Sequence, residues 1–363
     1  MRDFAGTDLL MKEALERGVF PGAVLLVSLT GEVVLRKAYG YSAVLPELRP
    51  MSEETLFDLA SLTKPLATAV ALMVLAAENR IGLDQRVEDF FSLNKDDSKS
   101  AITVRHLLSH SSGLPAYRPF YKRLRFRSGD ERKRILRKWL LAEPLLADPG
   151  ETAVYSDLGF MILEWIVERA SGVTLDRFVS GKIYGPAEFK SICFRPLERP
   201  AADLQVIAAT ENCPWRKRIL YGEVHDDNAY IVGGVSGHAG LFGTADDVHA
   251  LVTLLRNACF GEESVFLPEI VQSFFVRQSM PKGATWALGF DTPSEEGSSA
   301  GKYFSRNTVG HLGFTGVSFW MDLEKEITIV LLTNRVHPSR QNEQIRVFRP
   351  RVHDAIMEEL SAC

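Results

Sequence analysis

Residues 57–82 read FDLASLTKPLATAVALMVLAAENRIG, and the reading of this stretch decides the fold. An almost unbroken apolar run follows Ser61, extends to about Arg80 and is stopped by Gly82. The spacing predicts a buried helix with Ser61 and Lys64 at its mouth, on one face and one turn apart. First-turn N–H groups have no partner inside a helix and the dipole is positive there, so an oxyanion at Ser61 is favoured. Pro65 is tolerated because the helical ladder does not use those N–H groups. A lysine buried in such surroundings has a depressed pKa and can serve as a base. The pattern Ser-x-x-Lys is short, and it also fits a serine that only caps the helix with Lys64 in solvent. A second copy, Ser92-Leu93-Asn94-Lys95, lies in the polar stretch FFSLNKDDSKS with no helix behind it and reads as loop.

Two further segments carry chemistry. Residues 148–160, DPGETAVYSDLGF, place Tyr155-Ser156-Asp157 at a turn before an apolar helix. A phenol there can relay a proton between Ser61, Lys64 and a leaving group; it can equally be a core tyrosine with its hydroxyl on backbone. Residues 309–316, VGHLGFTG, put His311-Leu312-Gly313 ahead of an expected strand. The glycines allow close approach of backbone to a ligand. The N–H of Phe314 can then pair with that of Ser61 as an oxyanion hole. An ordinary turn with a structural histidine fits the same letters.

Outward from these segments, residues 21–42 read as two strands joined at Thr30-Gly31, and 317–321 and 327–333 (ITIVLLT) as strands near the other end. Residues 344–360 read as a closing helix, and the first twenty as a surface helix ended near Gly18. The middle is helical: 63–77, 103–108, 132–141, 157–170, 175–180 and 245–255 carry helical spacing or helix formers. The expected class is α/β (α+β): an antiparallel sheet built from both chain termini and flanked by helices, with a mainly helical insertion. The expected subdomains are an α/β part, about 1–58 plus 283–363, and a helical part, about 59–282.

Together and in this order, the three segments resemble the serine β-lactamase and penicillin-binding-protein superfamily, whose first motif is S-x-x-K. The closer likeness is to the class C β-lactamase-like branch, which holds esterases, D-aminopeptidases, DD-peptidases and cell-wall amidases. ITVRHLLSHSSGLP (102–115) and GEVHDDNAYIVGGVSGHAGLFGTADDV (222–248) extend the likeness over roughly 22–334. The resemblance implies Ser61 as acylated nucleophile, Lys64 as general base and Tyr155 as the phenol sharing their protons. It implies an oxyanion hole from Ser61 and Phe314, with Gly313 and the 311–314 stretch beside the substrate. It places His225, Asp226 and Asn228 on the substrate rim, where a turn held by Asx side chains is the competing reading. His106 and His110 match a structural turn and carry no chemistry in this reading.

Two positions depart from the pattern. Position 157 is Asp where the family usually has Asn, so it can accept but not donate when ionised. It can also pair with Lys64 and hold it protonated. Position 311 is His where many β-lactamases carry Lys, and a mostly neutral imidazole grips a substrate carboxylate less well. Ester or small-amide hydrolysis therefore ranks ahead of β-lactam hydrolysis. A fold relative that binds without turnover is the alternative. A Ser-His-Asp hydrolase using another serine finds no G-x-S-x-G after a strand, and Ser236 in GGVSGHAG sits off that pattern.

The bulk numbers set bounds. The chain has 363 residues, 46% hydrophobic and 24% charged, with net charge −4. Such a balance argues against a nucleic-acid partner; the basic stretch 122–138 is interrupted by Asp130 and Glu131 and reads as a solvated helix face. Four scattered cysteines, with no CxxC, argue against a zinc site and a disulfide framework. No metal or organic cofactor is expected, since no HExxH, P-loop or dinucleotide fingerprint occurs. No signal-like apolar stretch opens the chain, which gives a cytoplasmic expectation. No stretch of membrane-spanning length is read, so the expected partner is a small ester, amide or β-lactam.

Overall fold

The computed structural model describes residues 3–93, 98–195, 198 and 206–361. Asn94 and Lys95 of the second Ser-x-x-Lys, and Cys363, lie outside the described residues.

The strands are β1 (Gly22–Leu29), β2 (Glu32–Ala43), β3 (Arg49–Pro50), β4 (Phe57–Asp58), β5 (Cys193–Phe194), β6 (Asn212–Cys213), β7 (Arg218–Ile219), β8 (Leu241–Gly243), β9 (Thr308–Leu312), β10 (Ser318–Asp322) and β11 (Ile327–Thr333). A six-stranded sheet has the order β3-β2-β1-β11-β10-β9, and its long strands pair antiparallel. The N-terminal β1 lies directly against the C-terminal β11, with Ala23 opposite Thr333 and Leu29 opposite Ile327. Both strands are largely apolar because both faces are covered. Val24, Leu26, Val330 and Leu332 enter the larger core, while Ala23, Leu25, Val27, Ile329 and Leu331 enter the second. The alternation is the two-residue period of a strand.

The second core lies under the helices Ala5–Glu16 and Ile345–Ser361, which supply Met11, Ala14, Val352 and Ile356. These helices are tied by Glu359, whose Oε1 accepts from Gly6 N–H at 2.7 Å. The larger core holds the helices Asp157–Ser171, Ala245–Cys259 and Pro268–Phe275; the last was not read from sequence.

The segment behind Ser61 is helical but not uniformly α. A 3₁₀ turn, Ala60–Leu62, passes into a π-helical stretch, Lys64–Ala69, and then into the α-helix Val70–Ala77. Contrary to the sequence reading, Ala60–Ala77 is long and apolar enough, by length and composition, to cross a membrane; here 83% of it is buried inside the protein. The expected strand after His311-Leu312-Gly313 is β10, Ser318–Asp322, while His311 and Leu312 themselves end β9.

Candidate active site

Local geometry at Ser61 begins with the residue before it. Ala60 has φ of 45°, a left-handed conformation that costs a non-glycine residue energy. Asp58 holds it there: its Oδ1 accepts from Ala60 N–H at 2.8 Å. The same buried side chain accepts from His225 N–H through Oδ2 at 2.6 Å. Its backbone carbonyl takes the Thr315 hydroxyl at 2.8 Å. Asp58 thus joins the Ser61 turn, the 225 loop and the β9–β10 turn. Burial pushes its carboxyl up, and the backbone donors at 225 and 60 oppose that. Nothing in the pattern around Ser61 signalled this residue.

Lys64 is fully buried and its ammonium has three acceptors: Asp157 Oδ1 at 2.7 Å, Ser61 Oγ at 3.2 Å and the His238 carbonyl at 3.3 Å. An –NH₃⁺ group has three donors, so the cationic form is fully satisfied. Burial alone would lower this lysine, but the charge of Asp157 and the Tyr155 contact outweigh it, and the net direction is upward. The expectation of a depressed lysine is thereby corrected in favour of its pairing with Asp157. Tyr155 lies against Lys64, with Nζ 4.6 Å from the ring centroid, and its hydroxyl interacts with both Lys64 and Ser61. Burial raises the phenol, Lys64 lowers it and Asp157 raises it further, for a net upward direction.

His311 is buried, and its Nδ1 lies 2.7 Å from the Leu312 carbonyl, which requires Nδ1–H as donor. Nε2 is then a bare acceptor with no protein partner among the described residues. Burial, aided by Lys64, holds the ring at about 3, so it stays neutral. Gly313 packs on the Ser61 turn: a Cβ there would lie 2.9 Å from the Leu59 carbonyl and 2.3 Å from Val317 Cγ2. Phe314 N–H donates to no protein acceptor among the described residues, and the Phe314 ring stacks on His225 with centroids 5.6 Å apart.

These groups open on one cleft of about 710 Å³, lined by Ser61, Tyr155, Asp157, His225, Asp226, His311, Gly313 and Phe314. Tyr117, Trp286, His238, Arg335 and Arg349 line it too and were not read from sequence. Asn228 does not line it: Oδ1 accepts from Tyr121 N–H and Nδ2 donates to the Arg118 carbonyl, so its amide is spent on tying two loops together. Asp226 caps Ala229 N–H and holds His238 Nε2 at 2.9 Å. His238 Nδ1 in turn meets Ser236 Oγ at 2.9 Å. This is a Ser-His-Asp chain, but Ser236 is buried and absent from the cleft lining, so no substrate carbonyl reaches it.

Residues 7–349 match the family model described as Beta-lactamase. The chain belongs to the beta-lactamase family. Among beta-lactamase-family relatives, it is 34% identical over 361 residues to the N-acetylmuramyl-L-alanine amidase of Bacillus subtilis (strain 168), covering 90% of this chain and 80% of that protein. Two solved structures share the beta-lactamase-like fold. EstCE1, a hydrolase with promiscuous acyltransferase activity, superposes with TM-score 0.72 at 24% identity over 96% of this chain and 98% of its own. An octameric penicillin-binding protein homologue from Pyrococcus abyssi gives TM-score 0.71 at 23% identity over 95% and 76%. The protein is a serine hydrolase of the beta-lactamase family.

Proposed function

We propose that the protein cleaves an amide or ester bond of a small substrate through an acyl-enzyme on Ser61, with a small-peptide or muropeptide amide ahead of a β-lactam. The observation that carries this reading is the contact of Ser61 Oγ with Lys64 Nζ, 3.2 Å, beside the Tyr155 hydroxyl and at the floor of the cleft. The likeness to the Bacillus subtilis amidase favours the amide.

In this reading Ser61 Oγ attacks the carbonyl carbon and its proton passes to the Tyr155–Lys64 pair. The oxyanion is met by the N–H groups of Ser61 and Phe314. The C–N or C–O bond then breaks, and the leaving group takes the proton from Tyr155. Water repeats the sequence on the acyl-enzyme and frees Ser61. With Lys64 held cationic and Tyr155 a phenol at rest, the pair must first lose one proton. The same resting state favours a second reading, a protein that acylates and releases slowly.

Intact mass after incubation with esters, cephalosporins, D-Ala peptides and muropeptides tests both. The proposal expects a transient acyl increment with product release, abolished by Ser61→Ala. A permanent adduct without product supports the second reading. Full turnover in Ser61→Ala ends both.

A further inference from the structure

The fold neutralises only part of the basic stretch at 122–138. Nine of its seventeen residues are Lys or Arg and two are acidic, which gives +7 on a chain of net charge −4, so the remaining residues carry −11. The stretch spans the short helix Tyr121–Leu124, a turn, and most of the helix Gly129–Ala142. Leu124, Leu136 and Leu140 are buried and seat both helices on the larger core. The cations divide by the face they occupy. Toward the body, Lys133 pairs with Glu164 at 2.5 Å and with Glu168 at 2.8 Å, and Arg137 pairs with Glu168. Of the two acids in the stretch, Glu131 is taken by Arg134 at 2.8 Å. Toward solvent, Lys122, Arg123, Arg125, Arg127 and Lys138 are exposed, and none of the five forms an ion pair among the described residues.

Between Arg125 and Arg127 stands Phe126. It is 75% exposed, the most exposed large apolar side chain among the described residues. The Arg125 guanidinium lies 4.6 Å from its ring centroid, and that of Arg123 lies 4.2 Å from the Trp139 ring. A lone exposed apolar side chain is ordinary. An exposed ring flanked by unmatched cations is the combination used at a membrane interface, where the cations meet anionic headgroups and the ring enters the boundary beneath them. A soluble polyphosphate would engage the cations and leave the ring idle. A flat surface also touches one face only, so the acidic remainder of the chain need not approach it.

We propose that the 122–138 face is a docking surface for an anionic lipid bilayer, with Phe126 in the headgroup boundary and Lys122, Arg123, Arg125, Arg127 and Lys138 on the lipid phosphates. This is adhesion without a span, and it is independent of the chemistry at Ser61. Each Lys or Arg close to such a bilayer contributes roughly a fivefold gain in binding. The surface is continuous with the cleft. Asn228 accepts from Tyr121 N–H and donates to the Arg118 carbonyl, so the loop that places Tyr117 on the cleft wall is fixed to the same segment. Docking therefore holds that wall close to the bilayer.

Co-sedimentation of the full chain with lipid vesicles tests this. At about 0.1 M NaCl, vesicles holding about 30% phosphatidylglycerol in phosphatidylcholine should bind the protein about tenfold or more better than pure phosphatidylcholine, and about 0.5 M NaCl should release it. The double variant Arg125→Gln, Arg127→Gln should weaken binding by about tenfold or more. Phe126→Ser should weaken it at unchanged charge. Melting temperatures equal to the parent's show that the variants fold, as expected for exposed side chains. Phe126→Trp should gain quenching by brominated lipid beyond that of the parent. Equal sedimentation with the two vesicle types, including none with either, overturns the proposal, as does binding undiminished in the double variant. Binding that needs the arginines, ignores Phe126→Ser and is displaced by free polyphosphate also overturns it, and makes the partner a soluble polyanion.

Discussion

Lys64 makes its shortest hydrogen bond, 2.7 Å, to Asp157 and not to Ser61 Oγ, which it meets at 3.2 Å. The carboxyl group at 157 thus favours the protonated forms of both groups beside Ser61. Asp157 pushes both Lys64 and Tyr155 upward.

Asp157→Asn should move the acidic limb of the kcat/KM–pH profile to lower pH. The base must be unprotonated to work, so activity rises as pH passes its pKa. Removing a charge that raises that pKa brings the rise earlier. A profile from pH 5 to 10 on one chromogenic ester checks this. An unmoved limb would place the controlling proton elsewhere.

Tyr155→Phe keeps the ring packed between His110 and Trp286, whose centroids lie 4.7 and 5.4 Å away, and removes only the hydroxyl. The expected loss is roughly 10²–10⁴-fold in kcat, the range for a positioned acid–base group. Single-turnover kinetics should put the loss in acylation, with thermal stability close to the parent.

Gly313→Ala should lower kcat by about 10²–10³-fold, the effect of losing an oxyanion donor. Its Cβ would strike Val317 Cγ2 and the Leu59 carbonyl, so the turn bearing Phe314 must leave the Ser61 turn. KM should change much less. Steady-state kinetics beside circular dichroism separates this outcome from unfolding.

Asp58→Ala leaves the N–H groups of Ala60 and His225 without their acceptor. A cost of about 1–3 kcal/mol per buried unpaired group is expected, together with loss of activity, because Ala60 loses the contact that holds its left-handed backbone. Urea denaturation and acylation rate measure the two effects.

Glu211 gives a pH-dependent stability term. Burial would raise it, but His225 and Arg340 outweigh burial and hold it at about 2, against an ordinary 4.5. A depressed acid contributes fully above its unfolded pKa and loses that contribution as pH falls from 4.5 toward 2. The shift corresponds to roughly 3 kcal/mol. Glu211→Gln should therefore lower stability at pH 7 and flatten its fall between pH 5 and 2 in denaturant titrations.

The sheet and the clustering of Ser61, Lys64 and Tyr155 were legible because their signals are local. ITIVLLT becomes β11 in full, and the runs around Thr30-Gly31 become β1 and β2. Ser61 and Lys64 are three residues apart, and Tyr155 sits at a turn ahead of an apolar helix, so short spacing betrayed them. Asp58, His238, Arg335 and Arg349 had no such mark: each acquires its meaning from partners far away in sequence. Asn228 misled for the converse reason, since its turn lies near the rim while its amide bonds elsewhere. The state of Lys64 was open in the sequence because burial and Asp157 act in opposite directions, and only the 2.7 Å distance decides between them.

Gly22 N–H and Asn334 Oδ1, 312 residues apart, share a hydrogen bond where β1 meets β11. At ordinary ribosomal speeds of about 5–20 residues per second, β1 waits roughly 15–60 s for that neighbour. Through that interval an apolar strand presents a bare edge to whatever else is in reach. The turn bearing Phe314 is made nearly as late, so a nascent chain carries Ser61 long before the cleft around it is complete. The walls of that cleft come together only when translation of the fold is nearly over.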